Sequence, residues 1–259
     1  EDLEMCIADM AANGAEPIFS MGDDAPIAVL SEKPQVLYNY FKQRFAQVTN
    51  PAIDPLREGD VMSLHMWVGK KGHVLSDDDD STRLVRLESP VINRPELDAL
   101  ADNKDMNLAR VSTRFASADG PEGLRTAIDK LKAEVVKAVM VDNHHIVVLS
   151  DMIDMDGLEN DLTKDEAYIP PLLALGAVHH ELINQGLRLD ASIIVETAQC
   201  WTTHHLACLV AFGAHAVHPY LALDAVKGWT LSTKVQKAMQ TGKIRHMDCE
   251  TTMKNYRTS

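Results

Sequence analysis

The chain has 259 residues, 46% of them hydrophobic, and a formal net charge of −13. That length suits one α/β unit of barrel size, and the negative balance disfavours a nucleic-acid partner. No run approaches the roughly 18 apolar residues of a membrane helix, and the acidic, amphipathic opening EDLEMCIADM lacks the pattern of a signal or transit peptide. It reads instead like a start cut from a longer chain.

Asp2 to Asn13 reads as a helix stopped at Asn13-Gly14. Ile18 to Ser20 is short and extended, Gly22 to Pro26 is a turn, and Ile27 to Leu30 is an apolar strand. Lys33 to Val48 is predicted as a helix with Leu37, Tyr40, Phe41, Phe45 and Val48 on one face, ended by Asn50-Pro51. Pro51 and Pro55 then fix an extended path along which Thr49, Asn50, Asp54 and Arg57 can make directed hydrogen bonds. From spacing alone that stretch is either a rigid connector packed on its own domain or a surface that something contacts. Asp60 to Gly69 has no clear period and is read as helical. Lys70 to Asp80 is a loop whose Asp77–Asp80 run lacks the spaced oxygens and glycine turn of a calcium loop, so it reads as a solvated tip.

Leu84 to Leu87 reads as a strand, and Arg94-Pro95-Glu96-Leu97 as a helix start with Leu97 and Leu100 on one face. The pattern becomes regular from Leu108. Strands at Ala109–Phe115, Ile146–Leu149, Ser192–Val195 and Ala216–Tyr220 alternate with helices at Glu122–Val139, Pro170–Gln185, Thr202–Phe212 and Leu223–Trp229, with an acidic irregular segment from Asp151 to Glu166. Strands this apolar suit a parallel sheet covered on both faces, as half of a TIM-like barrel or as an open sheet. The expected organisation is a single domain: an irregular α/β part over residues 1–107, regular βα units over 108–230, and a tail of two short helices over 231–259.

Chemistry in parallel α/β folds sits at the carboxyl ends of the strands. Asp151 follows one strand, Glu196 ends the next and His218 follows the third, while His204-His205 open a helix and His179-His180 lie on another. These types can bind a metal and activate water, yet no tight ligand spacing exists. Adjacent histidines point to different faces of a helix, so one of each pair is expected to be buried and hydrogen-bonded. Cys6, Cys200, Cys208 and Cys249 form no C-x-x-C pair, which supports neither zinc nor an iron–sulfur centre. There is no G-x-S-x-G elbow and no phosphate-cradling glycine loop.

Three long, irregular strings resemble the central domain of glutamate synthase: MGDDAPIAVLS from Met21, YFKQRFAQVTNPAIDPLRE from Tyr40, and GLRLDASIIVETAQCWTTHHLACLVAFGAHAVHPYLAL from Gly186. TAQCWTTHH is similar to the ferredoxin-dependent branch of cyanobacteria and plastids, and the likeness spans about Glu1 to Arg257. It implies a half-barrel domain of parallel βα units with no catalytic, cofactor or metal residues of its own. It also implies partners: an amidotransferase domain, whose N-terminal cysteine nucleophile has no counterpart at Glu1, and an FMN-binding domain carrying the flavin and a 3Fe-4S cluster. The parent enzyme would make two glutamates from glutamine and 2-oxoglutarate with reduced ferredoxin, in a bacterial cytoplasm or plastid stroma. The domain would hold its neighbours apart and help wall an internal ammonia path. By residue type Thr49, Asn50 and Ile53 would supply that wall, Pro51 and Pro55 its stiffness, and an Asp54–Arg57 ion pair its shape. Two positions depart from the family pattern: Met152, where Arg is usual after VLSD, and His215, where a small or acidic residue is usual. The alternative reading is a free-standing α/β binder of small molecules, or a metal-dependent hydrolase using Asp151, Glu196 and the paired histidines.

Overall fold

The computed structural model describes residues 3–17, 28–32, 35–41, 53–73, 75, 83–152 and 166–259. A π-helical turn, Leu3–Ile7, runs into α1 (Ala8–Asn13), and Gly14 in the left-handed region closes it by donating its N–H to Met10 O. A short helix α2 (Glu58–Val61) precedes the antiparallel strands β1 (Met66–Val68) and β2 (Val85–Leu87). Helix α3 (Arg94–Asp102) opens with a capping box: Asn93 accepts from the Glu96 N–H while the Glu96 carboxylate accepts from the Asn93 N–H. Then come β3 (Leu108–Ser112), β4 (Arg114–Ala116), α4 (Gly120–Met140), β5 (Ile146–Ser150), β6 (Glu166–Tyr168), α5 (Pro171–Asn184), β7 (Ser192–Glu196), α6 (Thr203–Ala211), β8 (Ala216–His218), α7 (Tyr220–Leu231), α8 (Thr233–Gln240) and α9 (Cys249–Thr258).

The central sheet has the order β3-β5-β7-β8, parallel at every step. Each new strand adds on the same side of the last, with no reversal of direction as in a doubly wound sheet. That progression is that of a barrel carried halfway, a half-barrel of parallel βα units. Val91 extends it by one parallel bridge to Val217, with Val217 N–H donating to Pro90 O and Ile92 N–H donating to Val217 O.

Strand alternation builds two cores. Val147, Leu149, Ile193, Val195 and Val217 face the outer layer, where Leu131 and Val135 of α4, Leu172, Leu175 and Val178 of α5, and Leu209 of α6 pack on them. Ile146, Val148, Ile194 and Ala216 face the other way, onto Val68 of β1, Ile92, and Leu97 and Leu100 of α3. This second face would line the interior of a complete barrel; here the segment from β1 to α3 closes it. Full burial of each such aliphatic side chain contributes about 1.5–3 kcal/mol. A third cluster joins the two ends of the chain: Ile7, Met10 and Ala11 meet Ala222, Leu223 and Val226 of α7 and Tyr256 of α9.

Several expectations need correction. Ala28–Leu30 is a 3-10 turn and not a strand. Of the helix expected over 33–48, the described residues 35–41 hold one 3-10 turn, Leu37–Tyr40, followed by an extended Phe41; residues 33–34 and 42–48 lie outside the described residues. The buried residue of the turn is Tyr38, which the helical pattern placed off the apolar face. Tyr38 instead stacks on His205 at 4.4 Å and enters the outer core. A contact among tertiary partners has overridden local spacing. Asp60 to Gly69 contains the end of α2 and the strand β1 rather than a helix. The strand expected over 109–115 breaks at Thr113, whose N–H donates to Ser150 O while its own carbonyl accepts from Ile169. Beyond the break, β4 pairs antiparallel with β6, a strand that sequence reading missed. The readings at 18–20, 22–26, 77–80 and most of 151–166 lie outside the described residues.

One turn is sterically fixed. Gly213 has φ 112°, and a Cβ there would run into the His179 ring. Gly213→Ala should cost about 2 kcal/mol or more, since it combines a disfavoured dihedral with a rigid clash. Denaturant unfolding checks this; a midpoint unchanged from the parent would show that the turn can relax.

Candidate functional site

The parallel register places Ser150, Glu196 and His218 side by side, one on each of β5, β7 and β8, at the carboxyl edge of the sheet. All three lie on the face that points to β1 and α3. Glu196 has no exposed surface. Its Oε1 meets His218 Nδ1 at 3.1 Å, and its Oε2 accepts from Ser150 Oγ at 2.5 Å and from the Arg110 guanidinium of β3. Arg94, at the start of α3, lies 3.8 Å from Oε1. Burial alone would raise the Glu196 pKa. The His218 and Ser150 hydrogen bonds and the Arg110 charge outweigh it and hold the carboxyl at about 2.

Asp151 forms the next knot outward. It accepts from Thr197 Oγ1 at 2.5 Å, from the Ala198 N–H at 3.1 Å and from Tyr220 OH at 2.9 Å. Burial pushes its pKa up against those hydrogen bonds, and the charge of Glu196 pushes in the same direction as burial. The same burial raises Tyr220, with the Asp151 charge adding to it. Gln199 ties Tyr168 of β6 to this end of the sheet with a 2.5 Å hydrogen bond.

The structure thus brings Asp151, Glu196 and His218 to one edge, as the strand ends suggested, and adds Ser150, Arg110, Thr197 and Tyr220. Arg110 had a signal: a guanidinium in the middle of LARVS is out of place in an apolar strand unless a buried acid receives it. The paired histidines do not join the cluster. His205 is buried against Tyr38 and Trp201, and His204 bonds the Tyr38 carbonyl at 3.0 Å. Half-buried His179 accepts from Arg188 Nε at 2.9 Å, and His180 is exposed. Among the described residues no group of three or more His, Cys, Asp or Glu is placed to hold a metal ion.

All four oxygens of the two carboxylates already face protein donors. A metal or substrate would have to displace them, and a carboxyl held at about 2 is no proton donor near neutrality. The arrangement is a clamp on the strand ends. A cavity of about 870 Å³ lies elsewhere, between α4 and the β4–β6 pair, and includes Arg114, Lys130 and Glu134 in its wall.

Both departures from the family pattern have local reasons. The Met152 sulfur accepts from Arg110 at 3.3 Å and from Arg94 at 3.6 Å. An arginine at 152 would set a third guanidinium against these two. His215 receives the Ile193 N–H on its ring Nδ1 at 3.2 Å, one residue before β8 begins, so the side chain supplies an acceptor to β7 where its pairing with β8 has not yet started. Of the proposed path residues, Thr49 and Asn50 lie outside the described residues. Ile53 is partly buried. Asp54 and Arg57 form an exposed ion pair at 2.5 Å, and Asp54 also accepts from the Leu56 and Arg57 N–H groups. The Arg57 side chain, then these backbone donors, lower the Asp54 pKa.

Two outcomes follow for stability. Removing one partner of a buried charge costs about 3–5 kcal/mol, so Glu196→Gln should lower stability by about that much; a loss under about 1 kcal/mol would mean that the clamp is dispensable. Burial holds His205 at about 4 and His215 at about 3, below the ordinary 6.5. A depressed histidine stabilises fully above 6.5, and the contribution is lost as pH falls toward the folded value. Glu196 adds a loss below 4.5, whereas raised Asp151 works in the opposite sense. The unfolding midpoint should therefore fall between pH 7 and pH 5 by the equivalent of about 1–2 kcal/mol per buried histidine. A flat midpoint over that range would contradict it.

Over its full length, residues 1–259, the chain matches the family model described as the glutamate synthase central domain. It is 51% identical over all 259 residues to ferredoxin-dependent glutamate synthase 2 of Synechocystis sp. and covers 16% of that protein. It is 47% identical over 257 residues to ferredoxin-dependent glutamate synthase of Pyropia yezoensis, covering 99% of this chain and 16% of the relative. The corresponding values for the chloroplastic ferredoxin-dependent glutamate synthase of Spinacia oleracea are 46% over 257 residues, 99% and 15%. The chain thus spans about 16% of the length of the curated relatives it matches, and it belongs to the glutamate synthase central domain family.

Proposed function

We propose that this chain acts as one structural domain of a longer, ferredoxin-dependent glutamate synthase, set between its amidotransferase and FMN-binding domains. The observation that carries this reading is the full-length family match to a small, constant fraction of much longer relatives. The self-satisfied carboxylate clamp supports it, because the strand ends that usually hold chemistry are spent on holding the sheet together.

FMN and an iron–sulfur cluster do not fit the residues present. Among the described residues no three cysteine, histidine or acidic side chains are grouped to hold a cluster, and the sequence offers no glycine loop for a flavin phosphate. Those groups, and contact with ferredoxin, belong to neighbouring domains in this reading. The compartment would be a bacterial cytoplasm or a plastid stroma, as the cyanobacterial and chloroplastic relatives suggest.

Within that enzyme the segment Thr49 to Arg57 would help wall the ammonia path. Thr49, Asn50 and Ile53 would form its surface, and the Asp54–Arg57 pair its shape. Pro51 and Pro55 would reduce the entropy cost of ordering it. In the full-length enzyme, Asn50→Ala should leave stability within about 0.5 kcal/mol while raising the ratio of glutamine consumed to glutamate formed. Thr49→Val should do the same. An unchanged ratio in both variants removes the channel role but leaves the structural one standing.

A further inference from the structure

Helix α2 and the residues around it form an unusual surface. The helix buries none of its residues. Around it, Leu56 is 94% exposed, Val61 56%, Met62 64% and Leu64 66%, and Trp67 on β1 is half exposed. So many large exposed apolar side chains within one short stretch of chain are unusual, whereas single exposed apolar residues are ordinary. The segment is nevertheless shaped: the local Asp54–Arg57 pair orders the turn at its start, and His65, bonded to Ser63, Glu88 and Arg86, fastens its end to β2. A fastened segment that points apolar residues outward has given up burial on its own body. Glu58 and Asp60 on the same helix form no ion pair among the described residues, so the partner surface should be apolar with a basic rim.

We propose that the face formed by Leu56, Val61, Met62, Leu64 and Trp67 docks onto another domain of the same, longer polypeptide. The relatives supply room for such a partner, since the matched part is 16% of their length. The proposal rests on the reading that this chain is one part of a longer protein. Intact mass of the native polypeptide tests that reading by itself.

The docking test uses the full-length polypeptide with a photo-crosslinking phenylalanine analogue at position 56 or 62, and at exposed position 140 as control. Crosslinked peptides from outside residues 1–259 of the same copy, several-fold above the control, are the expected result. Crosslinks confined to residues 1–259, crosslinks to a second copy in an isotopically mixed sample, or yields equal to the control would each overturn it. Leu56→Asp with Met62→Asp should abolish the interdomain crosslink from a probe at position 64, while Met140→Asp should leave it intact. Persistence of that crosslink in the double variant would also overturn the proposal. None of these readouts depends on the ammonia path, so failure of the channel role and failure of the docking face are distinguishable.

Discussion

One buried charge holds the sheet in register. Removing an ionised carboxylate from water costs several kcal/mol and is tolerated only when donors surround it. Glu196 meets that condition by drawing one donor from each other strand of the sheet: Arg110 from β3, Ser150 from β5 and His218 from β8. Every strand of the central sheet therefore converges on a single side chain. A complete barrel fixes its stagger by closing on itself. A half-barrel has no closure, and this acceptor supplies an alternative constraint at the edge where the strands would otherwise splay.

The same incompleteness explains the irregular segment that precedes the sheet. Half a barrel leaves bare the face that the missing strands would cover, and a bare face of Ile146, Val148 and Ile194 would aggregate. Residues from β1 to α3 cover it with Val68, Ile92, Leu97 and Leu100. These residues fit a concave surface made by other parts of the chain, so no single period runs through them. Ser192 marks the fit, donating to Gly69 O and accepting from Gly69 N–H, each at 3.0 Å.

Where stability is local, the sequence was readable. The βα alternation after Leu108, the Asn93–Glu96 capping box and the glycine stops at Gly14 and Gly186 are written in short-range pattern, and the four parallel strands follow from them. The acids at the strand ends were visible, but their donors were not, because Arg110 and Ser150 are brought to Glu196 only by strand register. Tyr38 was misread because its partner, His205, lies far along the chain, and β6 was missed because a strand as short as EAY carries no period. Both departures from the family pattern were legible as departures, yet their settings, two arginines at Met152 and the Ile193 N–H at His215, exist only in three dimensions.

The two ends of the described chain meet. Helices α1 and α9 pack side by side on α7, and Asn255 donates to Ala11 O at 3.0 Å. A tether pulling on both ends would act across this helix pair first, prying it apart from one end, while the parallel sheet and its carboxylate clamp would feel little of the force. Pulled by both ends, the body would behave as a bead hung from a single point, loaded across one helix pair and not through its sheet.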